Sequence, residues 1–164
     1  MMRSLLAALA VLLALAPQRV DALLCTPVLG CTCTVTASDI DFASFTPFAG
    51  PQDASGVVQV SCSGVIDVAP AVLTELDDGQ WGSYAQRKMR TASGDELGYN
   101  IYTTSQRNVV WGNGSSGTSA VWISGGVVTL GNWSRSTTMF ARAAPNAASK
   151  PGNYSDTVVV RVVW

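Results

Sequence analysis

Apolar positions along this chain recur at period two, in short runs divided by clusters of Gly, Ser, Asn, Asp and Pro. Alternation of that kind sends successive side chains to opposite faces of a strand, and from Thr32 onward no stretch carries a helical period. The pattern predicts strands at Cys33–Ala37, Gly56–Cys62, Ile66–Thr74, Arg87–Thr91, Leu97–Thr103, Val109–Trp111, Ser119–Ile123, Val127–Leu130, Thr138–Ala143 and Tyr154–Trp164. Turn residues separate them at Phe48–Asp53, Asp77-Asp-Gly, Gly112–Gly117, Gly125-Gly and Lys150-Pro-Gly-Asn. Many short strands at this spacing predict an all-β sandwich.

The final run, Tyr154 to Trp164, is expected to be one long strand. Val158, Val160, Val162 and Trp164 share the face that should be buried, while Thr157, Val159, Arg161 and Val163 share the other. A sandwich domain ending on this strand has no later segment with which to close its sheet, so the strand is expected to await a partner.

At the other end, Arg3 precedes an apolar run from Leu5 to Ala16 and then Pro17, with Val20 and Ala22 at the −3 and −1 positions of a cleavage site. These are the parts of a secretory signal peptide, and the apolar run is too short to span a bilayer. Residues 1–22 are therefore set apart from a single mature domain, residues 23–164, which is expected to contain no integral membrane segment. The mature chain keeps 8 basic against 10 acidic side chains, a net charge of −2. That balance gives nucleic acid nothing to bind. Arg87, Lys88 and Arg90 form a cluster that reads as a solvated strand end.

The chain has no histidine, which removes the Ser-His-Asp and Cys-His arrangements. The acidic pairs Asp39 with Asp41, Asp77 with Asp78 and Asp95 with Glu96 sit among Gly and Ser and read as solvated turn acids rather than catalytic carboxylates. Gly112, Gly114 and Gly117 resemble a phosphate-cradling loop only superficially. No lysine lies within the loop and no helix follows it, so a hairpin turn is the better reading. The residues point to a protein that is not an enzyme and calls for no cofactor. Asn113, Asn132 and Asn153 each open an Asn-X-Ser triplet and read here as turn residues.

All four cysteines, Cys25, Cys31, Cys33 and Cys62, lie in the mature chain, and an even count behind a signal peptide implies disulfides formed in an oxidising compartment. Three pairings are open. A metal site built on Cys31-Thr-Cys33 is disfavoured in a secreted chain without histidine.

One order of motifs is more specific than any of them alone. Cys33-Thr-Val-Thr-Ala is followed by Ile40-Asp-Phe42, Phe45-Thr-Pro47, Val57-Val-Gln-Val-Ser-Cys62, Arg87-Lys-Met89, Leu97-Gly-Tyr-Asn-Ile-Tyr102, Val110-Trp-Gly-Asn-Gly114 and Pro151-Gly-Asn-Tyr-Ser-Asp-Thr157. Across essentially the whole mature chain this resembles the spore coat protein U domain family, secreted pilins of archaic chaperone–usher systems. The resemblance implies a Cys33–Cys62 disulfide, leaving Cys25 and Cys31 to close a small loop. It implies an incomplete immunoglobulin-like β-sandwich lacking its final strand, with a hydrophobic groove beside the C-terminal strand. It also implies the partners: a periplasmic chaperone that lends a strand to the groove, an outer-membrane usher, and other pilus subunits whose N-terminal strand replaces the chaperone's. The implied location is the cell-surface pilus, reached through the periplasm.

Two departures from the family pattern stand out. Ala141 follows Phe140 where the family has glycine. The segment from Leu23 to Thr32 contains Pro27, Gly30 and the expected Cys25–Cys31 loop, which unfit it to serve as a donor strand. A subunit that accepts a strand without giving one belongs at a fibre tip or in a minor capping position, acting in assembly and thereby in adhesion and biofilm formation. Phe45, Phe48, Trp81 and Trp133 lie in turn-like settings and are candidates for contact with a surface, or equally for capping the sandwich ends. The alternative from another class is a stand-alone secreted module for glycans or surfaces that completes its own sheet.

Overall fold

The computed structural model describes residues 32–44, 46–48, 50–67, 71–125 and 129–163, with the backbone alone for 64–67 and 129–130. Cys25, Cys31, Phe45, Trp164 and the expected signal segment lie outside the described residues. Eight strands follow in order: β1 (Thr32–Ala37), β2 (Gln52–Asp67), β3 (Ala71–Leu76), β4 (Arg87–Arg90), β5 (Glu96–Tyr102), β6 (Val121–Ser124), β7 (Thr129–Ala143) and β8 (Val160–Val163). Among the described residues there is no helix, so none is long and apolar enough to cross a membrane.

The strands form two antiparallel sheets. The larger runs β1-β2-β7-β5-β4 and the smaller runs β6-β3-β8. Their inner faces meet in one core. Val58, Val60, Met139 and Ala141 come from the large sheet, Val72, Leu76 and Ile123 from the small one. Each apolar side chain withdrawn fully from water contributes about 1.5–3 kcal/mol. Trp111 is fully buried in the same core, where its indole N–H donates to the Thr74 carbonyl at 3.0 Å. Thr74 in turn donates its hydroxyl to the Val121 carbonyl at 2.7 Å, so both buried polar groups are satisfied.

The β2–β7 ladder is the backbone of the large sheet, running from Gln52 opposite Ala143 to Asp67 opposite Thr129. It includes a bulge between Cys62 and Val65, and beside it Gly131 adopts φ +97°. Sequence patterning breaks both strands where the structure does not. Residues 129 and 130 of the expected strand Val127–Leu130 and the expected strand Thr138–Ala143 belong to one strand, β7, with Val127 and Val128 outside the described residues. The expected strand Ile66–Thr74 is divided instead: residues 66 and 67 end β2 and β3 starts at Ala71. Val109–Trp111 forms only isolated bridges, Tyr102 to Val110 and Trp111 to Ser119. β2 begins at Gln52 and passes straight through Gly56. Glycine is needed there for close approach, because a Cβ would lie 2.9 Å from both Ile40 Cγ1 and Met139 Cε.

Cys33 and Cys62 are registered partners on β1 and β2 and form the disulfide that the family resemblance implies. The bridge closes a separation of 29 residues, which in the chain-entropy account contributes roughly 3–4 kcal/mol. Ala141 lies fully buried opposite Ala54, so its methyl is part of the core.

Candidate functional site

β1 and β8 are edge strands of different sheets, and they approach each other where the two sheets face. A cleft opens where the chain leaving β1 at Ala37 faces the segment leading into β8 at Val160. On β1, Val35 stands opposite Val60 on the same inner face, yet Val35 is 36% exposed while Val60 is fully buried. The same step occurs on β8. Val160 and Val162 pair with Leu76 and Thr74, both fully buried, but are themselves only half-covered although packed on the core. An inner-face position loses its cover at an edge only if nothing continues the sheet beyond it.

The cleft holds a cavity of about 470 Å³ lined by Ile40, Phe42, Met89, Ile101, Met139 and Val158 among others. A second space of about 570 Å³ shares Ile40, Phe42, Met89 and Tyr154 with the first and continues toward Pro47 and Lys150. Phe42 meets the Tyr99 ring edge-on, centroids 6.2 Å apart. Ile40 and Phe42 arrive here because β1 leaves its ladder at Ala37 and the chain turns inward.

The opposite wall is built by residues 154–159, and here the expected strand Tyr154–Trp164 requires correction. Only Val160–Val163 pair as a strand. Ser155 bridges Arg90 of the large sheet with reciprocal backbone hydrogen bonds of 2.9 and 3.1 Å, whereas Val160 pairs with Leu76 of the small sheet. The segment therefore changes sheets, and carboxylates hold the crossing. Asp156 Oδ1 accepts the N–H of Gln80 at 2.9 Å and of Thr157 at 2.8 Å, and its Oδ2 accepts the Tyr99 hydroxyl at 2.6 Å. Asp77 Oδ1 accepts from Val159 N at 2.9 Å and Gly79 N at 3.1 Å, while Asp77 N donates to the Val159 carbonyl at 3.1 Å. Burial first, then the hydrogen bond to Asp156, pushes the Tyr99 phenol well up, so that it stays a donor.

Behind this corner lies Arg87. It is fully buried, which corrects the reading of the basic cluster as a solvated strand end. Its Nε donates to the Asp77 carbonyl at 2.9 Å, one terminal nitrogen to Asn100 Oδ1 at 2.7 Å and the other to the Trp111 carbonyl at 2.8 Å. Its charge lies 5.4 Å from the Tyr84 ring centroid. Burial lowers its pKa, but a guanidinium remains charged in a protein. Of its neighbours, Lys88 and Arg90 both pair with Glu96 at the surface. Asp95 pairs with Lys150.

Of the residues singled out from sequence, Val158, Val160 and Val162 lie together on the cleft wall and Trp164 lies outside the described residues. Phe48 is 83% exposed. Trp81 is 40% exposed with the Arg90 guanidinium stacked 4.3 Å from its ring centroid. Trp133 is not in a turn: it lies within β7 at 6% exposure, which removes it from the surface-contact candidates. Sequence reading missed the groove roles of Ile40, Phe42, Met89, Tyr99 and Asp156. The alternation of Ile40 and Phe42 just past β1 was a signal, but Asp156 sits between Ser155 and Thr157 in a polar stretch and gave none.

The sequence profile of the Spore Coat Protein U domain matches residues 20–161. Comparison with curated proteins finds no match. Among solved structures, the CsuC–CsuE chaperone–tip adhesion subunit pre-assembly complex from archaic chaperone–usher Csu pili of Acinetobacter baumannii is similar at 22% identity and a TM-score of 0.49, covering 82% of this chain. A chaperone–tip adhesin complex of CFA/I fimbriae biogenesis is similar at 10% identity and a TM-score of 0.45, covering 79% of this chain. This chain spans 40% and 41% of the length of the chains it matches.

Proposed function

We propose, from the premise that this chain belongs to the Spore Coat Protein U domain family, that it is a strand-accepting structural subunit of a chaperone–usher pilus, not an enzyme. The observation that carries the reading is the half-covered inner face on both edges of the cleft, with Val35 on one side and Val160 and Val162 on the other. A single extended strand laid between β1 and β8 would pair both edges and cover these side chains. That is β-strand addition, in which main-chain hydrogen bonds give strength and alternate side chains fill the space beneath. In the periplasm the strand belongs to a chaperone; at the outer-membrane usher another subunit's strand replaces it.

Expression in a periplasm with and without the cognate chaperone tests this directly. The cleft leaves Val35, Val160 and Val162 incompletely covered, and among the described strands β1 and β8 each have a neighbour on one side only, so soluble, protease-resistant protein should depend on the chaperone. Equal yields of folded monomer in both strains would eliminate the strand-accepting reading.

The position we propose is a tip or minor one, in support of adhesion and biofilm formation, with the exposed Phe48 and Trp81 available for surface contact. Pro27 in the segment before β1 has no N–H to give a ladder. Purified chaperone complexes incubated at high concentration should run on an unboiled gel as single bands. A ladder from this subunit alone would make it an ordinary shaft pilin.

A further inference from the structure

We infer that Asp156 is a positioning residue that fixes the groove wall before any strand arrives. The inference rests on the strand-accepting reading above and adds to it a source of preorganisation. Residues 156–159 cross from one sheet to the other, so no continuous ladder holds them and their order depends on other hydrogen bonds. Asp156 supplies them from three directions. Gln80 belongs to the chain leaving the small sheet, Tyr99 belongs to β5 of the large sheet, and Thr157 is the next residue of the wall itself.

Gly79 shows how closely this contact is fitted. Its φ is +77°, and a Cβ there would lie 2.2 Å from Asp156 Oδ2, so only glycine lets the carboxylate seat against the turn. Asp77 grips Val159 through both its backbone and its carboxylate. Between these two anchors, Val158 is turned onto the core as part of the groove lining. All of these bonds are made within the chain. The wall is built by the chain alone, and a strand that docks does not have to order it.

A wall that is only partly in place reduces the apparent affinity by the fraction of molecules that are competent, and the loss falls on association. The test uses protein purified as its chaperone complex and released from the chaperone immediately before mixing, and follows by stopped flow its binding of a fluorescent, lysine-tipped peptide of alternating valine and threonine. Asp156→Leu should slow association by about tenfold or more while changing dissociation by less than about threefold. Asp156→Asn keeps an acceptor for the two backbone N–H groups and should restore the rate. Pulsed amide hydrogen exchange at Gln80 and Thr157, begun as the protein is released from its chaperone complex, should quicken in the leucine variant and not in the asparagine variant. Tyr99→Phe deletes one hydroxyl from a ring the core retains, and should show the same association-only loss at about threefold or more even if the leucine variant does not fold. If the wild type takes no peptide, the strand-accepting reading falls and this inference with it. If the wild type binds and the Asp156→Leu and Tyr99→Phe variants bind as fast, the positioning role alone is overturned.

Discussion

Val160→Asp and Val162→Asp should each abolish capture by the chaperone, whereas Arg161→Asp, one residue away, should leave it within about threefold. The expectation follows from where these three side chains point. Val160 and Val162 pair with the fully buried Leu76 and Thr74 and are packed on the core, while Arg161 pairs with Glu75 on the outer face. An arriving strand seals the inner pair from water. A carboxylate sealed there has no cation among the described cleft-lining residues around it, and an unpaired buried charge costs several kcal/mol. A loss of about 3 kcal/mol already weakens binding more than a hundredfold. Co-purification of each variant with tagged chaperone is the measurement. Equal recovery of all three would show that β8 does not present its even-numbered side chains to a partner.

Arg87→Met should be the most damaging single change outside the cleft, lowering stability by about 3–5 kcal/mol. Replacing a buried ion pair with apolar groups is often harmless, because both charges leave together. Arg87 is a different case: its acceptors are the carbonyls of Asp77 and Trp111 and the Asn100 amide oxygen, and the carbonyls cannot be mutated away. All three would be left buried with one donor fewer. Arg87→Lys should recover little, since an ammonium cannot fork to acceptors spread over three segments. Denaturation midpoints of the purified chaperone complexes would measure this. A Met variant within about 1 kcal/mol of wild type would show that the corner does not depend on the guanidinium.

Period-two alternation made most strands readable because each has one face on the core: Val58, Val60 and Cys62 in β2, or Met139, Ala141 and Ala143 in β7, are buried while their neighbours are not. The same logic placed Val158, Val160 and Val162 on one face. It failed where polar side chains take over the backbone's hydrogen bonds. Alternation in Tyr154–Trp164 cannot reveal that Asp156 and Asp77 replace ladder bonds and carry the chain between sheets. It failed again at Gly56 and at Gly131-Asn-Trp, where glycine reads as a break but β2 and β7 support each other across a long ladder. The burial of Arg87 was also hidden, because a run of three cations within four positions is ordinarily a wet one.

The Cys33–Cys62 bridge has a mechanical consequence. A strand seated between β1 and β8 and pulled along its length shares its load between the two edges, and on one side it enters β1, a strand of six residues paired with β2 over six positions. That short ladder is the step the disulfide crosses with a covalent bond. From β2 the load spreads into the β2–β7 ladder. Tension directed along that ladder must shear many hydrogen bonds together instead of peeling them one at a time. An edge that stands open for assembly is thereby anchored, once occupied, to the most resistant part of the fold.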